Sequence, residues 1–342
     1  MSSLRHRLRR STFLAPLALL FLVAGTAWAA GFPQNTLDPT SDFGHQTHRL
    51  FTDILWWEVG IFVIVEGALV VALLRFMHRG EKGVPHQLHG HTGVEVAWTL
   101  APALILVFIG VPTVMTIWRT QAPAPKNSLE IQVIGHQWWW EFRYPQYGIV
   151  TANEVHLPQG RPVHFILNSA DIIHSFWIPK LGGKRDVIPT RTNHLWYTAD
   201  SVGVWPGQCA EFCGTSHANM RLLGVVDSPT DFASWVAAET DTLPVPPSDS
   251  LAVAGAQLFS SPAKLCITCH TIQGVSAGMV GPNLTHVGSR RYIAAGLLEN
   301  TPTNIAKWVS NPPAVKPGAL MPVLGLSPDE ARALAAYLTT RK

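Results

Sequence analysis

Two apolar runs, Ile54 to Phe76 and Val94 to Trp118, constrain this chain more than any other feature. Each is near the ~20 residues that cross a bilayer as a helix. Lipid offers the backbone no hydrogen-bond partner, so a spanning segment must satisfy its own amides as a helix or join a closed barrel. The pair reads as a transmembrane hairpin. Its connection carries Arg75, Arg79 and Lys82 against Glu81, so the positive-inside rule places the connection in the cytoplasm and both outer ends outside. Ahead of the hairpin, Arg5, Arg7, Arg9 and Arg10 precede FLAPLALLFLVAG and the small-residue end AWAA. That is the pattern of a secretory signal cut after Ala29 or Ala30, with a retained first anchor as the alternative. Composition agrees: 13 Trp and only 14% charged residues fit a chain partly in lipid, and a formal charge of +3 is too small to point to nucleic acid.

Glu58, Glu66 and Glu95 sit in or at the ends of the two runs. A carboxylate facing lipid costs a few kcal/mol even on lenient scales (~2.5–3.5), so such groups usually face protein or water, as a proton path or a docking surface, with a protonated or snorkelling Glu near the interface as the alternative for Glu58 and Glu66. Beyond the Pro-rich break QAPAPKN, the segments LEIQVIGHQWWWEF, RPVHFILN, HLWYTA and RLLGVVD are short, β-branched or aromatic, and bounded by Gly, Pro and Asn. They predict a β-sandwich. TDTLPVPPSDS, with Pro244, Pro246 and Pro247, is a semi-rigid spacer. The last segment is helical: Ser327 can cap a helix with Pro328 in its first position and Glu330 three residues on, while Leu334, Tyr337 and Leu338 share a face. The expected order is a signal peptide (1–30), an N-terminal segment and hairpin (31–120), a sandwich (121–240), a linker (241–250) and a small helical domain (251–342).

Cys266-Ile267-Thr268-Cys269-His270 is the C-x-x-C-H pattern of a c-type haem, both thiols forming thioethers and the His ligating iron. A zinc site needs further ligands at similar spacing, and a thioredoxin motif needs a βαβ surround; this segment has neither. The sixth ligand must come from the far side of the ring. Met279 follows His270 too closely, whereas Met321 lies in the Pro-rich loop NPPAVKPGALMP before the terminal helix. A Met/His pair raises the potential, as an electron carrier needs, so Met321 is the expected ligand and Met279 a core or haem-edge contact.

The stretch GQCAEFCGTSHANM brings together Cys209, Cys213, His217 and Met220, with His174 upstream in DIIHSFWIP. Two thiolates, two imidazoles and a thioether are soft-to-borderline donors that suit copper, and the second thiolate implies two coppers bridged by both sulfurs. A disulfide is the usual fate of an exported cysteine pair, but it leaves the His and Met donors unexplained. A copper chaperone of the thioredoxin fold also uses C-x-x-x-C; its βαβ pattern is missing from the sequence.

With these motifs in view, the hairpin, GHQWWWEF, DIIHSFWIP and GQCAEFCGTSHANM resemble subunit II of a cytochrome c oxidase across residues 45 to 235. The C-x-x-C-H segment is similar to the cytochrome c fused to subunit II in a subset of haem–copper oxidases. The resemblance implies a two-helix transmembrane hairpin, a cupredoxin-like β-sandwich and an all-α class I cytochrome c domain. It implies a dinuclear copper (CuA) centre: Cys209 and Cys213 bridge, His174 and His217 each ligate one copper, and Met220 and the Glu211 carbonyl are weak ligands. The Glu211 carboxylate would reach a magnesium shared with subunit I. Trp138 takes the place of the family's electron-entry tryptophan, although a tethered donor can use that surface differently, and Trp138, Trp139 and Trp140 can in part be core or interface aromatics. Glu95 resembles a carboxylate at the entrance of a proton channel in subunit I. The implied role is electron input from cytochrome c or another donor, through haem c and CuA, to the oxygen-reducing subunit I and its companion subunits. The implied site is the bacterial inner membrane, crossed twice, with both redox domains on the periplasmic side and lipid but no nucleic acid as partner. A CuA-containing nitric oxide reductase subunit and a stand-alone membrane-tethered electron-transfer module are the alternatives; quinol oxidase subunits lack the copper thiolates.

Overall fold

The computed structural model describes residues 34–76, 83, 87, 89–241 and 246–342. The signal segment and residues Arg79, Glu81, Lys82 and Pro244 lie outside the described residues.

Helices α1 (Asp42–Phe76) and α2 (Thr92–Thr120) are both long and apolar enough to cross a membrane, and their apolar windows bury nothing in the chain itself. Trp57 and Phe108 stack between them at 5.8 Å. Helix α2 carries Pro102 and Pro112 without interruption, which spanning helices tolerate better than soluble ones. Helix α1 starts well before the apolar run. Its first turns fasten the hairpin to the next domain: the Asp42 carboxylate accepts from the Thr198 amide at 2.8 Å, His45 pairs with Asp200 at 2.7 Å, and Ser41 donates to the Leu181 carbonyl. Polar residues such as Asp42, His45 and Thr47 hid this extension, because hydropathy marks the membrane-crossing part of a helix and not its ends.

Ten strands follow: β1 (Leu129–His136), β2 (Trp139–Tyr144), β3 (Ile149–Ala152), β4 (Glu154–Pro158), β5 (Pro162–Ser169), β6 (His174–Trp177), β7 (Arg185–Val187), β8 (Asn193–Thr198), β9 (Gly203–Cys209) and β10 (Arg221–Asp227). They form two five-stranded sheets, ordered β3-β2-β1-β5-β8 and β4-β10-β9-β6-β7. β1 pairs with β5, and β10 with β4, in parallel; the other pairings are antiparallel. Strict alternation along β1 and β5 turns Leu129, Ile131, Val133, Phe165 and Leu167 inward, where they meet Trp140, Phe142 and Phe176. This is the expected cupredoxin-like sandwich. Helix α3 (Pro229–Thr240), capped by Ser228, lays Phe232 and Trp235 over Tyr144, Tyr147 and His156. The predicted elements did not include it.

The C-terminal domain is built on α4 (Ser250–Ser260), α5 (Pro302–Ser310) and α6 (Pro328–Thr339), with one-turn helices at Cys266–Cys269 and Pro312–Val315. Ser327 and Glu330 form the predicted capping box, and Leu334, Tyr337 and Leu338 are buried, Tyr337 against Phe259 of α4. Two minimal ladders, Thr271–Ile272 with Ser276–Ala277 and Tyr292–Ile293 with Leu298–Glu299, supplement the helices.

Candidate functional site

One end of the second sheet gathers the soft donors. His174 opens β6 and Cys209 closes β9, and these strands are neighbours with Phe176 opposite Cys209. The loop from β9 to β10 then folds back: the Cys209 amide donates to the Met220 carbonyl at 2.9 Å, enclosing Cys213 and His217. Cys209 Sγ and Cys213 Sγ stand 3.7 Å apart. His174 Nδ1 lies 3.9 Å from Cys209 Sγ and His217 Nδ1 3.6 Å from Cys213 Sγ. Met220 Sδ is 3.9 Å from Cys213 Sγ, and the Glu211 carbonyl oxygen 3.2 Å from Cys209 Sγ. The two sulfurs are too far apart for a disulfide, which bonds at ~2.05 Å. Their separation, with an imidazole on each side, fits metal between them.

Electrostatics favour the same reading. The Cys213 thiol, hydrogen-bonded to Cys209, holds the Cys209 thiol well below the usual range, helped by His174, and the same bond pushes Cys213 up. Metal binds the thiolate form of cysteine, which this environment favours at Cys209. His174 is fully buried, and its Nε2 meets the Asp171 carboxylate at 2.7 Å, which turns Nδ1 toward the sulfurs. Burial opposes ionisation of Asp171, yet bonds from His174 and from the Ile172 and Gln137 amides outweigh it and lower its pKa. Asp171 was not singled out from the sequence; its place three residues before His174 was the available signal.

In the C-terminal domain, Cys266 and Cys269 lie on one helical turn, half-buried, and His270 ends it. The His270 ring is fixed by Nδ1, which meets the Pro282 carbonyl at 2.8 Å, so Nε2 is the nitrogen that could serve as a ligand. Gly281 allows this approach: a Cβ there would stand 2.6 Å from the His270 ring. Met321 is half-buried against the domain core, whereas Met279 is 81% exposed. Leu265 beside Cys266, Leu320 and Val323 around Met321, and Met279 and Val280 just before Gly281 leave apolar side chains exposed. Such a rim fits a large, flat, apolar group such as haem.

The other predicted residues fall as follows. Trp138 is buried, and its Nε1 donates to the Cys213 carbonyl at 2.8 Å. Trp140 is a core residue with its edge toward His174, while Trp139 stacks on His136 at 4.1 Å on the other face of the sheet. The Glu211 carboxylate is exposed and accepts from the Phe212 amide. Glu95, in the first turn of α2, accepts from the His91 amide at 3.1 Å. Glu58 and Glu66 are exposed on α1.

Comparison with known proteins covers most of the chain. The family models for the cytochrome c oxidase subunit II transmembrane domain, the subunit II periplasmic domain and cytochrome c match residues 26–115, 149–228 and 252–342. Cytochrome c oxidase subunit 2 of Alkalihalophilus pseudofirmus is 36% identical over 292 residues, covering 82% of this chain and 83% of that protein. Its counterpart in a Bacillus species is 35% identical over 282 residues, covering 77% and 78%. Among solved structures, the periplasmic domain of subunit II of the Bradyrhizobium japonicum cytochrome oxidase is 32% identical, covers 36% of this chain and all of that one, and has a TM-score of 0.34. The chain is thus membrane-anchored and belongs to the cytochrome c oxidase subunit II family, in a form that carries a C-terminal cytochrome c domain.

Proposed function

We propose that this chain receives electrons at its C-terminal domain and delivers them through its sandwich to the oxygen-reducing subunit I. The observation that carries the reading is the convergence of His174, Cys209, Cys213, His217, Met220 and the Glu211 carbonyl, neighbour to neighbour within 3.9 Å. Those residues hold a dinuclear copper, and Cys266, Cys269, His270 and Met321 hold haem c. Bound there, each centre accepts and releases one electron at a time. The chain's own part is to keep the ligands still. Asp171 orients His174, the Pro282 carbonyl orients His270, and the sandwich core backs the thiolates, so the geometry changes little between redox states. Low reorganisation is what fast electron exchange requires.

Trp138, hydrogen-bonded to the carbonyl of Cys213, is the entry contact. The exposed Glu211 carboxylate faces outward, available to a magnesium shared with subunit I. Glu95 lies at the membrane boundary, fit to supply protons to that subunit. The hairpin spans the bacterial inner membrane with both redox domains on the periplasmic side, against subunit I and its companions, and cytochrome c or another carrier is the donor. The domain limits follow the sequence reading: 1–30, 31–120, 121–240, 241–250 and 251–342. Metal analysis of the purified complex tests the site: two coppers per chain sharing one unpaired electron support it, and the resonance spectrum of a single blue copper contradicts it. The gas consumed, oxygen rather than nitric oxide, tests the partner.

A further inference from the structure

The Pro-rich linker leads one to expect a tethered domain that searches for its partner. The structure shows the C-terminal domain seated on the sandwich at three points. At the first, the buried Glu154 carboxylate of β4 accepts two amides of the C-terminal domain, Arg291 at 2.6 Å and Tyr292 at 3.0 Å. Arg290 lies within electrostatic reach of Glu154 and of Glu239 on α3. At the second, the Arg221 amide donates to the Ala295 carbonyl at 3.2 Å.

The third point touches the candidate electron entry. Lys316, only 4% exposed, donates through Nζ to the Trp138 carbonyl and to the Ala294 carbonyl at 3.4 Å. Ser216, fully buried beside His217, donates to the Pro317 carbonyl at 2.5 Å. Gly318 has φ +81°, and a Cβ there would lie 2.9 Å from the Trp138 indole, so the backbone is pressed onto that ring. The loop from Lys316 to Met321 therefore joins the proposed far-side haem ligand to Ser216 and Trp138. Ser216 is bonded to His217, and Trp138 is hydrogen-bonded to the Cys213 carbonyl.

We propose that Glu154 and Lys316 are positioning residues that lock the C-terminal domain in one docked pose, with the loop from Lys316 to Met321 as the contact between the two redox sites. Removing either side chain leaves polar groups at the contact without their partner: two part-buried amides in one case, the buried Trp138 carbonyl and the part-buried Ala294 carbonyl in the other. That penalty is the asymmetric part of hydrogen-bond energetics. The burial of Trp138 beneath this loop also means that a soluble donor meets the C-terminal domain first. The assignment of electron flow rests on the function proposed above; the docked pose does not.

Hydrogen exchange on the full-length chain within its complex tests the pose without reference to activity. Segments containing Trp138, Arg291–Tyr292 and Lys316–Gly318 should be protected in the unaltered protein. Protection there should fall at least tenfold in Glu154→Ala and Lys316→Met and persist in Glu154→Gln, whose amide oxygen still accepts both bonds. Strand β1 should stay protected in all three, showing that the sandwich remains folded. In parallel, photoreduction of haem c should give a haem-to-copper transfer rate insensitive to solvent viscosity, which drops at least tenfold and becomes viscosity-dependent in the two disruptive variants. An unprotected interface in the unaltered protein, or protection unchanged in both variants, overturns the docked pose. Absence of the two-copper resonance with protection intact overturns the functional reading alone.

Discussion

In the sandwich, the proposed metal-binding donors already meet beside a core that includes Trp140, Phe165 and Phe176, residues drawn from both sheets. In the C-terminal domain the core is smaller, and Leu265, Val280, Leu320 and Val323, near the proposed haem ligands, are more than half exposed. On the function proposed above, the first region owes its shape to its own packing and would take up metal in a formed site, whereas the second would complete its packing against haem. A small domain with an incomplete core needs such a staple, so cofactor loss should be a local event in one half and a folding event in the other.

The largest effect that can break this contrast is removal of each centre. Cys266→Ala with Cys269→Ala should prevent covalent haem attachment and raise the proteolysis rate of residues 251–342 at least tenfold, leaving the copper resonance in place. Cys213→Ser should abolish the two-copper resonance while the sandwich stays protease-resistant and haem stays attached. If both changes unfold their domains equally, the contrast fails.

Met321→Ala comes next. It should keep haem attached, open the iron to outside ligands and lower the potential by something on the order of 0.1 V, within the ~0.8 V that axial ligands span. Met279→Ala, at an exposed position, should do neither. Redox titration and carbon monoxide binding decide between them, and the reverse result reassigns the ligand.

The docking contact has a pH signature. Burial pulls the Lys316 ammonium from 10.5 down to about 7, partly opposed by Cys213. Between these values the undocked lysine binds more protons than the docked one. By linkage, docking strengthens as pH rises from about 7 towards 10.5 and is weakest, by the full penalty, below 7. Pose protection, corrected for intrinsic exchange, should rise across that range in the unaltered protein and stay flat in Lys316→Met. The smallest effect lies in the cap: Ser327→Ala removes half of the capping box of α6, at a cost of about 1 kcal/mol, visible as a lower melting temperature for the C-terminal domain alone.

Much of this was legible in the sequence. Local signals have short range, and GQCAEFCGTSHANM, the C-x-x-C-H motif, the apolar runs and the Ser327 cap each carry their chemistry within a few residues. The strands of alternating pattern were visible in LEIQVIGH and RPVHFILN, but the Pro- and Gly-bearing β9 and the short β6 and β7 were not, since pairing with neighbours defines them. The docking of Lys316 on Trp138 and of Arg291 on Glu154 joins residues far apart in the chain, and no local pattern marks it. Lys316 in particular looks like an ordinary loop lysine until its surroundings are known.

The central claim is that electrons enter at haem c and pass to copper within one chain. Rapid mixing of the intact oxidised complex with a reduced donor, following haem c and copper absorbance separately, tests it most directly. The account predicts that haem c is reduced first and that copper follows at a rate independent of protein concentration. Copper reduced before haem c would contradict it.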